Sequence, residues 1–206
     1  MPAATRPLER LWAGDFGDAY VDRNFDAQRG RRAFWHELLD RIEARSALEV
    51  GCNVGGNLAW IAERMGPDRV AGVDVNARAL GELRRRIPGI RAELASARRL
   101  PAADGEFDLT FTMGVLIHQD PAELPEVMAE IVRCSARYVL CGEYHADRLT
   151  EVPYRGLPGA LFKQDFGALY ARLFPGLRLV DGGLLSEPGV WDDITWWLFD
   201  RRPADA

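Results

Sequence analysis

A short apolar run, Ala47-Leu48-Glu49-Val50, stops at the turn Gly51-Cys52-Asn53-Val54-Gly55-Gly56-Asn57. Leu58, Ile61, Ala62 and Met65 follow at helical spacing, and Gly66-Pro67 closes them. A second apolar run, Val70 to Val75, carries an acid, Asp74, near its end. A buried strand, a glycine-rich turn, a helix and a second strand within about 30 residues form the unit from which parallel sheets are wound. This segment narrows the architecture more than any other in the chain.

The same alternation continues. A helix is predicted over Ala77–Arg86, ended ahead of Pro88, with strands at Ile90–Leu94 and Phe107–Thr112. The next helix is expected over Pro121–Val132, with Asp120 as N-cap and Pro121 in its first position, then a strand at Arg137–Gly142. The last third differs: a loop over Glu151–Gly159, a helix near 164–174, and two β-rich runs, Leu177–Leu185 and Ile194–Asp200. With no long helix between them, these should pair antiparallel. Ahead of the first strand, 28–45 places Phe34, Trp35, Leu38, Leu39 and Ile42 on one helical face. The stretch 8–25 has Leu8, Leu11, Trp12, Phe16, Ala19 and Tyr20 at helical steps, interrupted by Gly14 and Gly17. It reads as a covering flap. No repeat or linker is visible, so one domain is expected over 1–206, with 1–45 a helical cap and 46–206 the core.

Composition excludes several classes. The 206 residues carry three cysteines, too few for a disulfide scaffold, and a net charge of −5, unfavourable for phosphate-backbone binding. No apolar run reaches the roughly 18 residues of a membrane span, and the first residues lack the apolar stretch of a signal peptide. The expectation is a cytoplasmic protein without nucleic-acid or membrane partners, its oligomeric state open.

The glycine turn lets a ligand approach the backbone, and Asn53 tolerates a left-handed conformation where a third glycine could stand. Asp74, at the end of the next strand, is placed to accept ribose hydroxyls. Glu49 is a buried acid that needs a polar partner, which a ligand ammonium would supply. Gly51, Asn53 and Gly56 also approximate a dinucleotide fingerprint, so a nicotinamide-dependent reductase is an alternative reading. A domain that binds its cofactor without catalysis is another.

Glu49-Val50-Gly51-Cys52-Asn53, Val73-Asp74-Val75-Asn76 and Phe107-Asp108-Leu109-Thr110 fall, in this order, as they do in class I S-adenosylmethionine-dependent methyltransferases, which the chain resembles over 46–142. The resemblance implies a Rossmann-like, seven-stranded, mostly parallel α/β sheet with helices on both faces and an antiparallel C-terminal hairpin. It implies S-adenosyl-L-methionine as cofactor and S-adenosyl-L-homocysteine as product. Asn53 and Ser96 depart from the family pattern, Ser96 at a place where an acid often meets the adenine amine. Phe16-Gly17-Asp18-Ala19-Tyr20, Gly114-Val115-Leu116-Ile117-His118, Pro153-Tyr154-Arg155-Gly156, Leu161-Phe162-Lys163 and Asp192-Asp193-Ile194-Thr195-Trp196 are similar to methylases associated with pseudaminic acid biosynthesis. That likeness implies a neighbourhood of modified sugars; the acceptor expected is a small polar or anionic metabolite, a sugar derivative or a natural-product intermediate, methylated on oxygen or nitrogen.

Candidate cofactor residues are thus Trp12, Tyr20 and Asn24 of the flap, Glu49, Gly51, Cys52, Asn53 and Asn57 of the turn, Asp74, Val75 and Asn76, then Ser96, Ala97, Met113 and Gly114. His118 is the candidate general base, since its ordinary pKa suits neutral pH. Glu143, Tyr144 and His145, after the fifth strand, are either acceptor-binding or a hydrogen-bonded corner. Tyr154 and Arg155 are candidates for an anionic acceptor, Arg155 being otherwise solvated. No His/Cys/Asp grouping has metal-ligand spacing, so no metal is expected.

Overall fold

A computed structural model describes residues 7–24 and 30–202. Two helices open the chain, α1 (Pro7–Ala13) and α2 (Asp15–Asn24), and α3 (Arg32–Arg41) follows. Then come β1 (Ala47–Val50), α4 (Gly56–Met65), β2 (Val70–Asp74), α5 (Ala77–Arg86), β3 (Arg91–Leu94) and β4 (Phe107–Met113). After a 3-10 turn at Leu116–His118 come α6 (Leu124–Cys134), β5 (Ser135–Glu143), β6 (Thr150–Glu151), β7 (Phe162–Lys163), α7 (Phe166–Leu173), β8 (Arg178–Glu187) and β9 (Trp191–Asp200).

Seven strands form one sheet in the order β3-β2-β1-β4-β5-β9-β8. The first five are parallel; β9 enters antiparallel to β5 and pairs antiparallel with β8. The chain order reverses between β1 and β4, which leaves a crevice beyond their carboxyl ends where ligands of open α/β sheets bind. All four residues of β1 are buried, as a strand covered on both faces requires. Leu48, Val50, Met128, Ile131, Phe166 and Tyr170 belong to the core on one face. Trp35, Leu38, Leu58, Ile61, Leu80, Leu83 and Phe111 fill the other. Among the described residues, no helix is long and apolar enough to cross a membrane.

Several details differ from the sequence reading. The expected first helix is two helices, broken at Gly14, and Gly17 is obligatory because a Cβ there would stand 1.8 Å from the Trp12 carbonyl oxygen. The helix expected from Pro121 begins at Leu124 with Glu123 as N-cap. Asp120 instead closes a turn, its carboxylate accepting from Ala122 N and its carbonyl from Glu123 N. The short β6–β7 ladder was not legible, because two-residue strands have no period to read.

Candidate functional site

The turn after β1 is built to bring backbone to a ligand. Gly51, Asn53 and Gly55 all have positive φ, at 74°, 47° and 74°. A Cβ on Gly51 would lie 2.5 Å from a Val115 methyl, so only glycine fits. Val73 O accepts from both Gly51 N (2.7 Å) and Cys52 N (3.0 Å), which ties the turn to the end of β2. Asn53 holds the left-handed conformation expected of it, and its N–H donates to Asp74 Oδ2 at 2.8 Å. Asn76 N donates to Asp74 Oδ1, also at 2.8 Å. Burial raises the Asp74 pKa against the pull of these backbone donors. A carboxylate has about four lone-pair positions, which leaves room for a ligand hydroxyl.

The cavity over this turn is lined by thirteen of the fifteen candidate cofactor residues: Trp12, Tyr20, Glu49, Gly51, Cys52, Asn53, Asn57, Asp74, Val75, Asn76, Ala97, Met113 and Gly114. Asn24 ends α2, and its side chain lies outside the described residues. Ser96 does not line the cavity, and its hydroxyl donates to Glu9 Oε1. Glu9 comes from α1, forms a 3.0 Å ion pair with Arg98, and does line the cavity beside Ala95 and Ala97. An acid therefore stands near the place where the sequence lacked one, supplied from about 90 residues away. No local pattern marks such a residue.

Glu49 occupies the opposite end. Its Oε1 accepts from Asn57 Nδ2 at 2.7 Å, while its buried Oε2 has no hydrogen-bond partner. Burial pushes its pKa up to about 8, against the Asn57 hydrogen bond and the charge of Arg31. Asn57 Oδ1 in turn accepts from Trp35 Nε1 (3.2 Å) and Arg31 Nη1 (3.3 Å). Arg31 was not among the sequence candidates. It lines the cavity, donates through Nε to Val190 O at 3.1 Å and stacks 4.3 Å from the Trp191 ring. An acid with an open oxygen beside a fixed guanidinium suits a zwitterionic amino acid group: ammonium on Glu49, carboxylate on Arg31. A glycine turn, a strand-end acid and this pair match the three parts of S-adenosylmethionine.

The α1–α2 cap roofs the same cavity. Asn76 Oδ1 caps α5 through Ala79 N (2.8 Å), and its Nδ2 donates to Trp12 O (3.1 Å) and Asp18 Oδ1 (2.9 Å). Arg78 donates to Asp18 O (2.9 Å) and pairs with Asp22. Trp12 meets Phe16 and Tyr20 edge to face, each at 5.2 Å.

His118 lines the cavity between Trp12 (4.6 Å) and Tyr154 (4.9 Å). Its Nδ1 lies 2.6 Å from Ala160 O. A carbonyl only accepts, so Nδ1 carries the proton and Nε2 the lone pair. Burial pushes its pKa down to about 4, so the ring is neutral at pH 7. Glu143 takes the second of its two expected readings, a hydrogen-bonded corner. It is fully buried, and its carboxylate accepts from Val115 N (3.2 Å), Leu116 N (3.1 Å) and Ile117 N (3.3 Å), so it shapes the 3-10 turn instead of meeting an acceptor.

Tyr144 lies off the cavity lining, with Lys163 Nζ 5.0 Å above its ring. His145 turns toward Asp165 at the start of α7, 4.0 Å away, and does not line the cavity. Tyr154 backs His118 and Trp12 from outside it. Arg155 is exposed at a turn apex: it and Gly156 both have positive φ, and Tyr154 and Leu157 exchange backbone hydrogen bonds at 2.9 and 3.0 Å. The Arg-Gly pair is explained by a tight hairpin turn, without an anion.

Residues 47–137 match the family model of a methyltransferase domain. The fold is similar to that of the 1,6-didemethyltoxoflavin-N1-methyltransferase of Burkholderia thailandensis, solved with bound 1,6-didemethyltoxoflavin and S-adenosylhomocysteine. The TM-score is 0.74 at 20% identity, covering 97% of this chain and 91% of that one. The fold is that of a class I S-adenosylmethionine-dependent methyltransferase. Among curated relatives, an uncharacterized 37.1 kDa protein in transposon TN4556 of Streptomyces fradiae is 33% identical over 139 residues, 64% of this chain and 40% of that protein. The methyltransferase GfsG of Streptomyces halstedii is 31% identical over 112 residues, 51% of this chain and 40% of that protein. The chain thus spans 40% of the length of either curated relative. Within the methyltransferase fold, Asp74 stands at the carboxyl end of β2, and Glu49 one residue before the end of β1.

Proposed function

We propose that this chain is an S-adenosylmethionine-dependent methyltransferase acting on a small polar metabolite in the cytoplasm, through one domain and without nucleic acid or membrane. The observation that carries the reading is the buried, unpartnered Oε2 of Glu49, set beside Arg31 in a cavity that also holds Asp74. An unsatisfied buried carboxylate oxygen is costly, and a cofactor ammonium is the partner that would offset it. Asp74 would hold the ribose, Ala97 and Glu9 would flank the adenine, and Met113 and Gly114 would border the sulfonium. The bound cofactor supplies a methyl group on positively charged sulfur, open to in-line displacement. The chain's own work is then to orient the two reactants and to keep water out beneath the α1–α2 cap. The family match over 47–137 and the shared fold support this reading. The likeness to methylases associated with pseudaminic acid biosynthesis favours a modified sugar or a related acid as acceptor.

Calorimetric titration with S-adenosylhomocysteine, with NADH as control, tests the reading. Micromolar binding of the first, weakened about 10-fold or more in Asp74→Ala, is expected from loss of hydrogen bonds to a charged group. Binding of NADH alone would replace the reading with a reductase.

A further inference from the structure

We propose that the tip of the C-terminal hairpin completes the cofactor site: Val190 and Trp191 hold the Arg31 guanidinium in the pose that receives the cofactor's carboxylate. This rests on the cofactor reading above. Neither residue lines the cavity, so both are positioning residues that act through Arg31. Both also lie beyond the segment 47–137 that matches the methyltransferase domain.

Arg31 is half-buried and lines the cavity, and its contacts among the described residues are neutral groups. Nε donates to Val190 O at 3.1 Å, Nη1 donates to Asn57 Oδ1 at 3.3 Å, and the guanidinium carbon stands 4.3 Å from the centre of the Trp191 ring. A cation drawn partly out of water without an ion pair is costly, and an anionic ligand group offsets that cost. These bonds use two of the five guanidinium N–H groups, so three are left for a carboxylate. A mobile arginine loses much rotamer freedom when it binds, whereas one already fixed loses little. The carbonyl, the amide and the ring remove that freedom before the ligand arrives.

The tip is shaped to do this. Val190 N donates to Glu187 O at 3.0 Å and closes the turn Glu187-Pro188-Gly189-Val190 between β8 and β9, with Gly189 at φ 79°. Gly30, at φ 98°, lets the tip come close, since a Cβ there would stand 2.8 Å from a Val190 methyl. Trp191 is buried, and Phe34 of α3 meets both it (5.5 Å) and Trp196 (5.3 Å) edge to face. The Trp191 ring is thereby oriented by α3 while its face carries the guanidinium. For packing alone, any large apolar side chain would serve at this position. The stacked cation is what calls for an aromatic ring.

Calorimetry on the full chain compares S-adenosylhomocysteine with its decarboxylated form, which keeps the amine and lacks only the carboxylate. Trp191→Leu should weaken S-adenosylhomocysteine about 10-fold, the scale of a partly desolvated cation–π contact, and change the decarboxylated ligand less than about 2-fold. Trp191→Phe keeps a ring beneath the guanidinium and should stay within about 3-fold of wild type for both ligands. In an Arg31→Ala background, Trp191→Leu should have no further effect, because the two residues act as one unit. Equal weakening of the two ligands, or an undiminished loss in the Arg31→Ala background, makes Trp191 a packing residue and overturns the proposal. Unchanged binding in Trp191→Leu overturns it as well. Wild type supplies an arm that needs no folded Trp191 variant. In nitrogen-15 spectra of the free protein, the Arg31 Nε–H, identified by its loss in Arg31→Lys, should exchange with solvent at least about 10-fold more slowly than that of exposed Arg155. Equal exchange at the two overturns the proposal. A wild type that binds neither ligand removes the cofactor reading instead.

Discussion

At the residue scale, the site is a set of groups whose chemistry is set by what surrounds them. Glu49 is the clearest case. With its pKa raised to about 8 by burial, it is mostly protonated at pH 7, and a bound ammonium favours its ionised form. S-adenosylhomocysteine should therefore expel a proton on binding. Its affinity should rise as pH goes from 6 to 8, by up to about tenfold per unit, then level off. Calorimetry in buffers of different ionisation enthalpy measures that proton, and Glu49→Gln should abolish both the release and the slope. Arg31 makes a separable prediction. In Arg31→Ala, S-adenosylhomocysteine should bind roughly 10–100-fold more weakly, the scale of a lost hydrogen-bonded charge. 5′-Methylthioadenosine, which lacks the amino acid group, should bind as it does to wild type. Equal weakening of both ligands would make Arg31 a structural brace between Asn57 and Val190.

At the element scale, short connections decide what the strand ends present. The 3-10 turn at Leu116–His118 stands where it does because Glu143, ending β5, accepts from the N–H groups of Val115, Leu116 and Ile117 at its start. Glu143→Gln leaves one carbonyl oxygen and one amide nitrogen in that space. Loss of an accepting oxygen at a buried site costs about 1–3 kcal/mol. For a chain of this size, Tm should fall by roughly 2–4 °C for each kcal/mol, and cofactor affinity should fall with it as Met113–His118 loosens. A melting curve with unchanged Tm would show that water replaces the carboxylate there. The same residue illustrates what a linear reading can miss. Glu143-Tyr144-His145 reads as one cluster, yet β5 ends at Glu143 and the next two residues leave the strand. Glu143 turns inward, Tyr144 packs under Lys163, and His145 faces α7.

At the scale of the whole molecule, the cap, the strand ends and the loop after β4 close over one cavity. Polar ties of the cap to the core include Glu9 to Arg98, Asn76 to Trp12 and Asp18, and Arg78 to Asp22. Bound ligand should add to these. Hydrogen exchange across residues 8–24 should slow at least severalfold with S-adenosylhomocysteine, while exchange in β1, β4 and β5 stays protected throughout. Unchanged exchange in the cap would mean that it packs on the sheet without regard to ligand.

The sequence alone determined the sheet, the glycine turn with its tolerant Asn53, and the strand-end acids Glu49 and Asp74. Each of these depends on hydrophobic period or on backbone stereochemistry, which act over neighbouring residues. It did not determine which oxygens are already taken, nor how deeply each group is buried. Those depend on atoms brought together from distant parts of the chain. Glu9 reaches Ser96 from α1, Arg31 reaches Val190 at the far hairpin, and Ala160 fixes the tautomer of His118. A pKa or an open hydrogen-bond position is a property of that assembled surrounding, so only the tertiary structure could decide it.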